Sequence, residues 1–111
     1  MSKRSDRELL SDIREAIQRI SSYTADSDYE TFANDTRTQD AVIRNMEILG
    51  EVTKKLSEEF RGAHQEVPWK SMAGTRDRLI HDYFGVNLDI VWQIAKLELP
   101  KVLEQVCDID Q

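Results

Sequence analysis

The amino-acid sequence predicts an all-α protein, an up-and-down bundle of four long helices plus a short C-terminal helix. Apolar residues recur at steps of three or four along almost the whole chain, which is the spacing of helices that bury one face. No segment alternates apolar and polar residues in the way that is typical of a strand. A chain of 111 residues is long enough for one domain and too short for two, so we expect residues 1–111 to form a single helical domain.

The first half of the chain predicts two long helices separated by a polar stretch. The first covers residues 6 to 23, with Ser5 or Asp6 as its N-cap. The second covers residues 38 to 60 and contains Gly50, which costs about 1 kcal/mol relative to alanine in a helix interior. A close backbone contact with another helix would explain a glycine at this position.

The second half of the chain predicts two further long helices and a short one. The third helix covers residues 68 to 83, because Pro68 suits a first helical turn and Gly85 suits a helix end. The fourth begins at about Leu88. We expect Pro100 to interrupt it and to open the short fifth helix, because proline disrupts the hydrogen bonds of a helix interior.

Composition and charge limit the classes of function. A net charge of −6 argues against a broad basic surface for nucleic acid, so a contact with RNA has to be local or lie in a groove shared between subunits. No apolar run approaches the ~20 residues of a membrane span, and the N-terminus lacks the apolar core of a secretory signal. We therefore expect a cytoplasmic protein without a membrane partner. Because so small a bundle buries little surface alone, we also expect a symmetric homodimer.

Chemically active side chains are concentrated in the segment GTRDRLIHDYFGVN of the predicted third helix. They are Arg76, Asp77, Arg78, His81 and Tyr83. Cleavage of an RNA phosphodiester needs proton transfer near neutral pH, which histidine performs, and a positive charge on the phosphorane, which arginine supplies. Arg76 and His81 are about 140° apart on an ideal helix, so local unwinding or a two-fold axis would have to bring them together.

The same segment also fits a solvated helix face. In that interpretation Arg78 forms a surface ion pair with Asp82, and His81 and Tyr83 are packing residues. The sequence contains two histidines, His64 and His81, and neither has carboxylate or cysteine neighbours at metal-ligand spacing. We therefore expect no metal and no cofactor.

The motif RDRLIHDY resembles the signature of HEPN-domain proteins, in which an arginine is followed after four residues by a histidine, any residue and a tyrosine. The resemblance extends to the flanking sequence. The blocks AVIRNMEILGEVTKKLS and VPWKSMAGTRDRLIHDYFGVNLDIVWQIAKLELPKVLEQV are similar to the HepT toxins of HEPN–MNT toxin–antitoxin pairs.

The resemblance implies a homodimeric, metal-independent endoribonuclease toxin that cleaves cellular RNA, with tRNA as the expected substrate. It implies catalytic roles for Arg76 and His81. It also implies an MNT-type nucleotidyltransferase antitoxin as partner, which in some members transfers AMP from ATP to the tyrosine that corresponds to Tyr83. The residue after the arginine is often asparagine in the family, whereas here it is Asp77, which adds a negative charge beside the phosphate site.

Four further residues, within this motif and on the second helix, are candidates for roles that support catalysis. Asp77 and Arg78 lie within the motif, and Arg44 and Glu51 share one face of the second helix within the similar block. These positions also fit an ordinary solvated stripe. Two other functions remain open for the whole chain. One is a catalytically inactive HEPN subunit that binds or regulates a nucleotidyltransferase, and the other is a structural dimerisation bundle.

Overall fold

The bundle is organised around two helices of 19 residues each, α1 over Asp6–Thr24 and α3 over Thr36–Lys54. At the start of α1, the carboxylate of Asp6 accepts hydrogen bonds from the backbone N–H and the hydroxyl of Ser57 at 2.9 and 2.7 Å. Because Ser57 lies just beyond the end of α3, the two helices run antiparallel. The computed structural model describes residues 4–80 and 85–109.

Shorter helices connect and cover this pair. They are α2 (Tyr29–Ala33), α4 (Glu58–Ala63), α5 (Trp69–Ala73), α6 (Thr75–Leu79), α7 (Leu88–Gln93) and α8 (Leu99–Ile109). A π-helical turn over Ile94–Glu98 joins α7 to α8. The predicted all-α class is confirmed. No helix within the described ranges is both long enough and apolar enough to cross a membrane.

The first predicted helix is confirmed, and its start is fixed by a capping box. The Ser5 hydroxyl accepts a hydrogen bond from the Glu8 backbone N–H at 3.1 Å, and the Glu8 carboxylate accepts one from the Ser5 N–H at 2.9 Å. The second predicted helix is wrong at its C-terminal end, since α3 stops at Lys54. Ser57 starts a new helix there, because its hydroxyl accepts from the Phe60 N–H and its backbone is tied to Asp6.

The third predicted helix is also wrong, because residues 68 to 83 do not form one continuous helix. Gly74 separates α5 from α6, and α6 ends at Leu79. Ile80 is extended and forms an antiparallel bridge with Val86. The end of α6 is therefore followed by extended backbone at Ile80 that pairs with Val86.

Pro100 does not interrupt the C-terminal helix, contrary to the prediction. It lies in the first turn of α8, directly after the π turn. Proline lacks an N–H, and its ring crowds the carbonyl four residues earlier. The π turn widens the helix there, and the Leu99 N–H donates to the carbonyl of Ile94, five residues back. The helix thus continues through Pro100 instead of ending at it.

The core lies where α1 packs against α3 and against the C-terminal helix α8, and α5 and α6 also pack against α3. Its fully buried large side chains include Ile13, Ile17, Ile20, Phe32, Met46, Leu49, Leu79 and Ile94. Gly50 faces α5 closely, since a Cβ atom at this position would lie 3.4 Å from the carbonyl oxygen of Ala73. The close backbone contact that a glycine at this position suggested is therefore present, and the helix that makes it is α5.

Candidate functional site

The helix α6 buries one face in the protein and exposes charged residues of the motif. Thr75 and Leu79, one turn apart, are buried at 2% and 1% exposure. The Thr75 hydroxyl also donates to the carbonyl oxygen of Met72 at 2.6 Å, which ties the start of α6 to α5. The residues between them, Arg76 and Asp77, are directed to solvent, and Arg78 is half-exposed. Burial of two positions thus orients the three charged side chains of α6.

Arg76 is held weakly. Its side chain is 62% exposed, and its Nε atom lies 4.0 Å from the Oε2 atom of Glu47 on α3. At that distance the pair is an electrostatic contact and not a good hydrogen bond. Most of the guanidinium is therefore free to bind an anion from solvent, with one carboxylate nearby.

Arg78 is held firmly by the carboxylate of Glu98, a residue that the motif does not indicate. Its two terminal nitrogens donate to the two carboxylate oxygens of Glu98 at 2.9 and 2.7 Å, and Nη1 also donates to the Ser71 hydroxyl at 3.0 Å. Hydrogen bonding to Glu98 raises the pKa of Arg78, and the same bond lowers the pKa of Glu98, so both groups are charged at neutral pH. Asp82, the partner considered from the sequence, lies outside the described residues.

The weaker candidates on α3 lie on an exposed face near Arg76. Arg44 and Glu51 are both exposed, and Glu51 is 3.6 Å from the ammonium of Lys54. The residue of this face that reaches the motif is Glu47, one turn from each of them. Helical spacing puts Glu47 on the same face as Arg44 and Glu51, but the sequence gives no sign of its contact with Arg76, because that contact depends on how α3 and α6 pack.

The two remaining motif residues, His81 and Tyr83, lie outside the described residues. The structure describes the chain up to Ile80 and again from Gly85. Ile80 and Val86 form the antiparallel bridge, and the Asn87 N–H donates to the Leu79 carbonyl at 2.8 Å. Gly85 has a φ angle of 95°, a conformation that glycine adopts without the strain other residues would carry. The chain on both sides of the segment 81–84 is thus joined by hydrogen bonds.

Metal ligands are not gathered in the part of the chain that the structure describes, where no cluster of three or more His, Cys, Asp or Glu side chains could hold an ion. His64 lies 3.9 Å from the carboxylate of Glu66 and packs against the ring of Phe60 with centroids 4.7 Å apart. That surrounding is typical of a packing residue.

The fold and motif together define an HEPN-type protein, an all-α bundle in which a short helix exposes an arginine five residues before a histidine. The chain matches the family model described as Ribonuclease HepT-like over residues 13–109, and it belongs to that family. The resemblance seen in the sequence is therefore confirmed.

Several curated relatives cover nearly the whole chain. "Probable ribonuclease HepT" of Thermococcus cleftensis is 44% identical over 100 residues, which cover 90% of this chain and 91% of that protein. "Putative RNase MJ0127" of Methanocaldococcus jannaschii is 41% identical over 109 residues, which cover 98% of this chain and 90% of that protein. "Putative RNase TTE0752" of Caldanaerobacter subterraneus is 47% identical over 83 residues, 75% of this chain and 74% of that protein. No solved structure matches the chain significantly.

Proposed function

We propose that this chain is a metal-independent endoribonuclease toxin that cleaves cellular RNA, with tRNA as its substrate. Membership of the Ribonuclease HepT-like family and the names of the curated relatives support ribonuclease activity of the HEPN type. The structural observation that carries the proposal is the exposed guanidinium of Arg76, oriented by the buried face of α6 and held only by a 4.0 Å contact with Glu47.

The proposed chemistry assigns separate tasks to Arg76 and His81. The ribose 2′-oxygen attacks phosphorus and gives its proton to a base, while the 5′-oxygen leaves with a proton from an acid. His81 transfers one of these protons, because imidazole titrates near neutral pH. Arg76 binds the phosphate and stabilises the charge that develops on the phosphorane. An RNA contact built on one local arginine also agrees with a net charge of −6, which argues against a broad basic surface.

A homodimer would supply two copies of each group in one cleft, so that one histidine can act as base and the other as acid. Apolar side chains beside the motif support an interface there, since Ile80 is 47% exposed and Val86 37% exposed. Large apolar side chains concentrated at one place on a surface are typical of protein interfaces. In such a dimer the short helices that bear Arg76 lie near the two-fold axis.

Control of the toxin is proposed to act through Tyr83 and an MNT-type nucleotidyltransferase antitoxin. The tyrosine oxygen attacks the α-phosphorus of ATP, pyrophosphate leaves, and the hydroxyl proton passes to solvent or to a base of the antitoxin. The AMP ester brings bulk and a negative phosphate to a residue seven positions after Arg76. RNA would then be excluded by charge repulsion and by shape.

The experiment for this function is cleavage of purified tRNA by the purified protein in the presence of a chelator. We expect fragments with 2′,3′-cyclic phosphate ends from tRNA and no fragments from the same sequence with 2′-deoxyribose at the cleavage position. Equal cleavage of both substrates would contradict a mechanism that uses the 2′-oxygen. Loss of cleavage on adding the chelator would contradict the metal-independent route.

A second candidate function is a catalytically inactive HEPN subunit that serves its nucleotidyltransferase as substrate or regulatory partner. The observation that favours it is the acidic surrounding of Arg76, with Glu47 at 4.0 Å and Asp77 next to it in the chain. Carboxylates at these positions repel an RNA phosphate. A protein that accepts AMP on Tyr83 but cuts no RNA would establish this second function.

A further inference from the structure

Three helical segments meet at the cluster formed by Arg78, Glu98 and Ser71. Arg78 belongs to α6, Ser71 to α5, and Glu98 is the last residue of the π turn. All three hydrogen bonds of the cluster are 3.0 Å or shorter. The cluster lies in the wall of a groove of about 350 Å³ between α5–α6 and the C-terminal helix. It therefore connects α6, which carries part of the motif, to the π turn, whose Glu98 lies twenty residues after Arg78 in the chain.

The geometry of the pair differs from that of an ordinary surface ion pair. Exposed pairs contribute little because two long side chains must be ordered for one contact. Arg78 and Glu98 form two parallel hydrogen bonds, and their side chains are only 37% and 42% exposed. A bidentate arginine–carboxylate pair fixes direction as well as distance. The pair can therefore set the orientation of the short helix that carries Arg78.

The helix α6 needs such a support. It has five residues, and an isolated helix of that length is not stable in water. Burial of Thr75 and Leu79 fixes its inner face, but its outer face carries Arg76 with only the 4.0 Å contact to Glu47. Within the described ranges, Arg78 provides the short side-chain hydrogen bonds of α6 outside this inner face, on the side of the helix opposite Arg76.

The π turn determines where the carboxylate of Glu98 points. A π turn inserts one extra residue into a helix, so residues on its two sides are offset by about 100° relative to a continuous α-helix. Without this turn, Glu98 would be rotated away from its present direction relative to α7. Single π turns occur frequently at functional sites, and this one ends at the residue that holds Arg78.

We propose that Glu98 is a positioning residue for RNA cleavage: through Arg78 it fixes α6 and so holds Arg76 in place for the phosphate. This inference rests on the proposed ribonuclease function. Arg78 lies two residues after Arg76 and, on an ideal helix, about 200° around the axis from it. The pair with Glu98 is thus on the opposite side from the proposed phosphate contact and acts on Arg76 through the helix.

The experiment is a double-mutant cycle on cleavage, with Glu98→Ala, Arg78→Ala and the double variant. We expect each single change to lower kcat roughly tenfold to a hundredfold, because small displacements of catalytic groups have effects of that size. KM should change much less than kcat, and the double variant should lose no more than either single one. Glu15→Ala is the matched control, since Glu15 forms a 2.6 Å ion pair with Arg19 on the exposed face of α1, away from the motif. It should leave kcat unchanged.

Salt dependence separates positioning from direct phosphate contact. Removing a phosphate contact reduces the slope of log affinity against log salt by about 0.7 for a single strand. Arg78→Ala should leave this slope unchanged, whereas Arg76→Ala should reduce it. A large loss for Arg78→Ala with no loss for Glu98→Ala, or additive losses in the double variant, would overturn the proposal.

Hydrogen exchange without RNA keeps this proposal distinguishable from the proposed function. In Glu98→Ala the backbone amides of residues 76–80 should exchange faster than in the wild type, and those of α1 should not change. If the wild type cut no RNA, the ribonuclease function would fall while faster exchange still established that Glu98 fixes α6. Unchanged exchange would overturn the role of Glu98 whatever the activity.

Discussion

Arg76 and Arg78, two residues apart on one five-residue helix, have opposite surroundings. Arg78 forms two short hydrogen bonds with Glu98, whereas Arg76 is 62% exposed and reaches Glu47 only at 4.0 Å. An arginine whose charge is already paired with a carboxylate attracts a phosphate less strongly than an exposed arginine without such a pair. The two arginines therefore have different roles: Arg78 fixes α6, and Arg76 is available to bind the ligand.

Replacement of Arg76 should affect activity and not stability. We expect Arg76→Ala to lower RNA cleavage about 10²-fold or more, because it removes the group that stabilises charge on the phosphorane. Its unfolding free energy should change by less than about 0.5 kcal/mol, as is usual for surface positions. The control is Arg37→Ala, an exposed arginine near the other end of α3, which should cleave at the wild-type rate. Equal rates of RNA cleavage for the two variants would show that Arg76 is not part of the catalytic site.

The size of the residue at position 50 should control the spacing of α3 and α5. Gly50→Ala adds a Cβ that would lie 3.4 Å from the Ala73 carbonyl oxygen, an ordinary contact, so the variant should fold. Because glycine costs about 1 kcal/mol relative to alanine in a helix interior, this variant should be more stable than the wild type by up to about that amount. Gly50→Leu should push α5 away and cost about 1–3 kcal/mol in the unfolding free energy. Urea denaturation of both variants measures the difference. A leucine variant as stable as the alanine variant would show that the helix contact is not tight.

The pair of Arg78 and Glu98 should contribute stability at neutral pH and not in acid. The folded-state pKa of Glu98 lies below its usual value because it accepts hydrogen bonds from Arg78, so the carboxylate is stabilised by folding. This contribution is present above the unfolded-state pKa of about 4.5 and is lost as pH falls through the lower folded-state pKa.

The measurement is urea unfolding of the wild type and Glu98→Gln at pH 7 and pH 3. Because both side chains are more than a third exposed, the wild type should be more stable at pH 7 by only about 0.2–1 kcal/mol. The difference should shrink at pH 3. A difference that is equal at both pH values would mean that the charge of Glu98 contributes nothing.

Tyr83→Phe should escape control by a nucleotidyltransferase partner. The change removes only the oxygen that would accept AMP and retains the aromatic ring. After incubation with the partner and ATP, intact-mass spectrometry should show an AMP-sized increase for the wild type and none for Tyr83→Phe. An equal increase on both proteins would place the modification elsewhere, and no increase on either would favour inhibition by binding alone.

The sequence predicts those parts of the fold that depend on local patterns. The first helix has both an apolar period and the Ser5–Glu8 capping box, so its limits can be read directly. The third predicted helix fails because its end depends on pairing between Ile80 and Val86, which lie in different segments. Local propensity gives no sign of such pairing. The π turn before Pro100 is not predicted either. A proline alone indicates a break in the helix, and no local pattern indicates the π turn that accommodates it.

The candidate site, too, is predictable from the sequence only where it depends on local pattern. The motif identifies Arg76 and Arg78 as charged residues but does not show which of the two has a free guanidinium. That distinction comes from Glu98, whose direction depends on the π turn, and from Glu47, whose contact depends on the packing of α3 against α6. His81 and Tyr83 lie outside the described residues, so their roles remain predictions from the motif and the family.

Cleavage of RNA by the wild type and His81→Ala tests the central claim most directly. Both proteins should be purified in parallel, with matching helix content by circular dichroism and matching oligomeric state by light scattering. The account predicts that the wild type cuts tRNA and that His81→Ala is slower by about 10²-fold or more, because proton transfer by a positioned group contributes about that much. Cleavage by His81→Ala at the wild-type rate would contradict the account and leave His81 a structural residue.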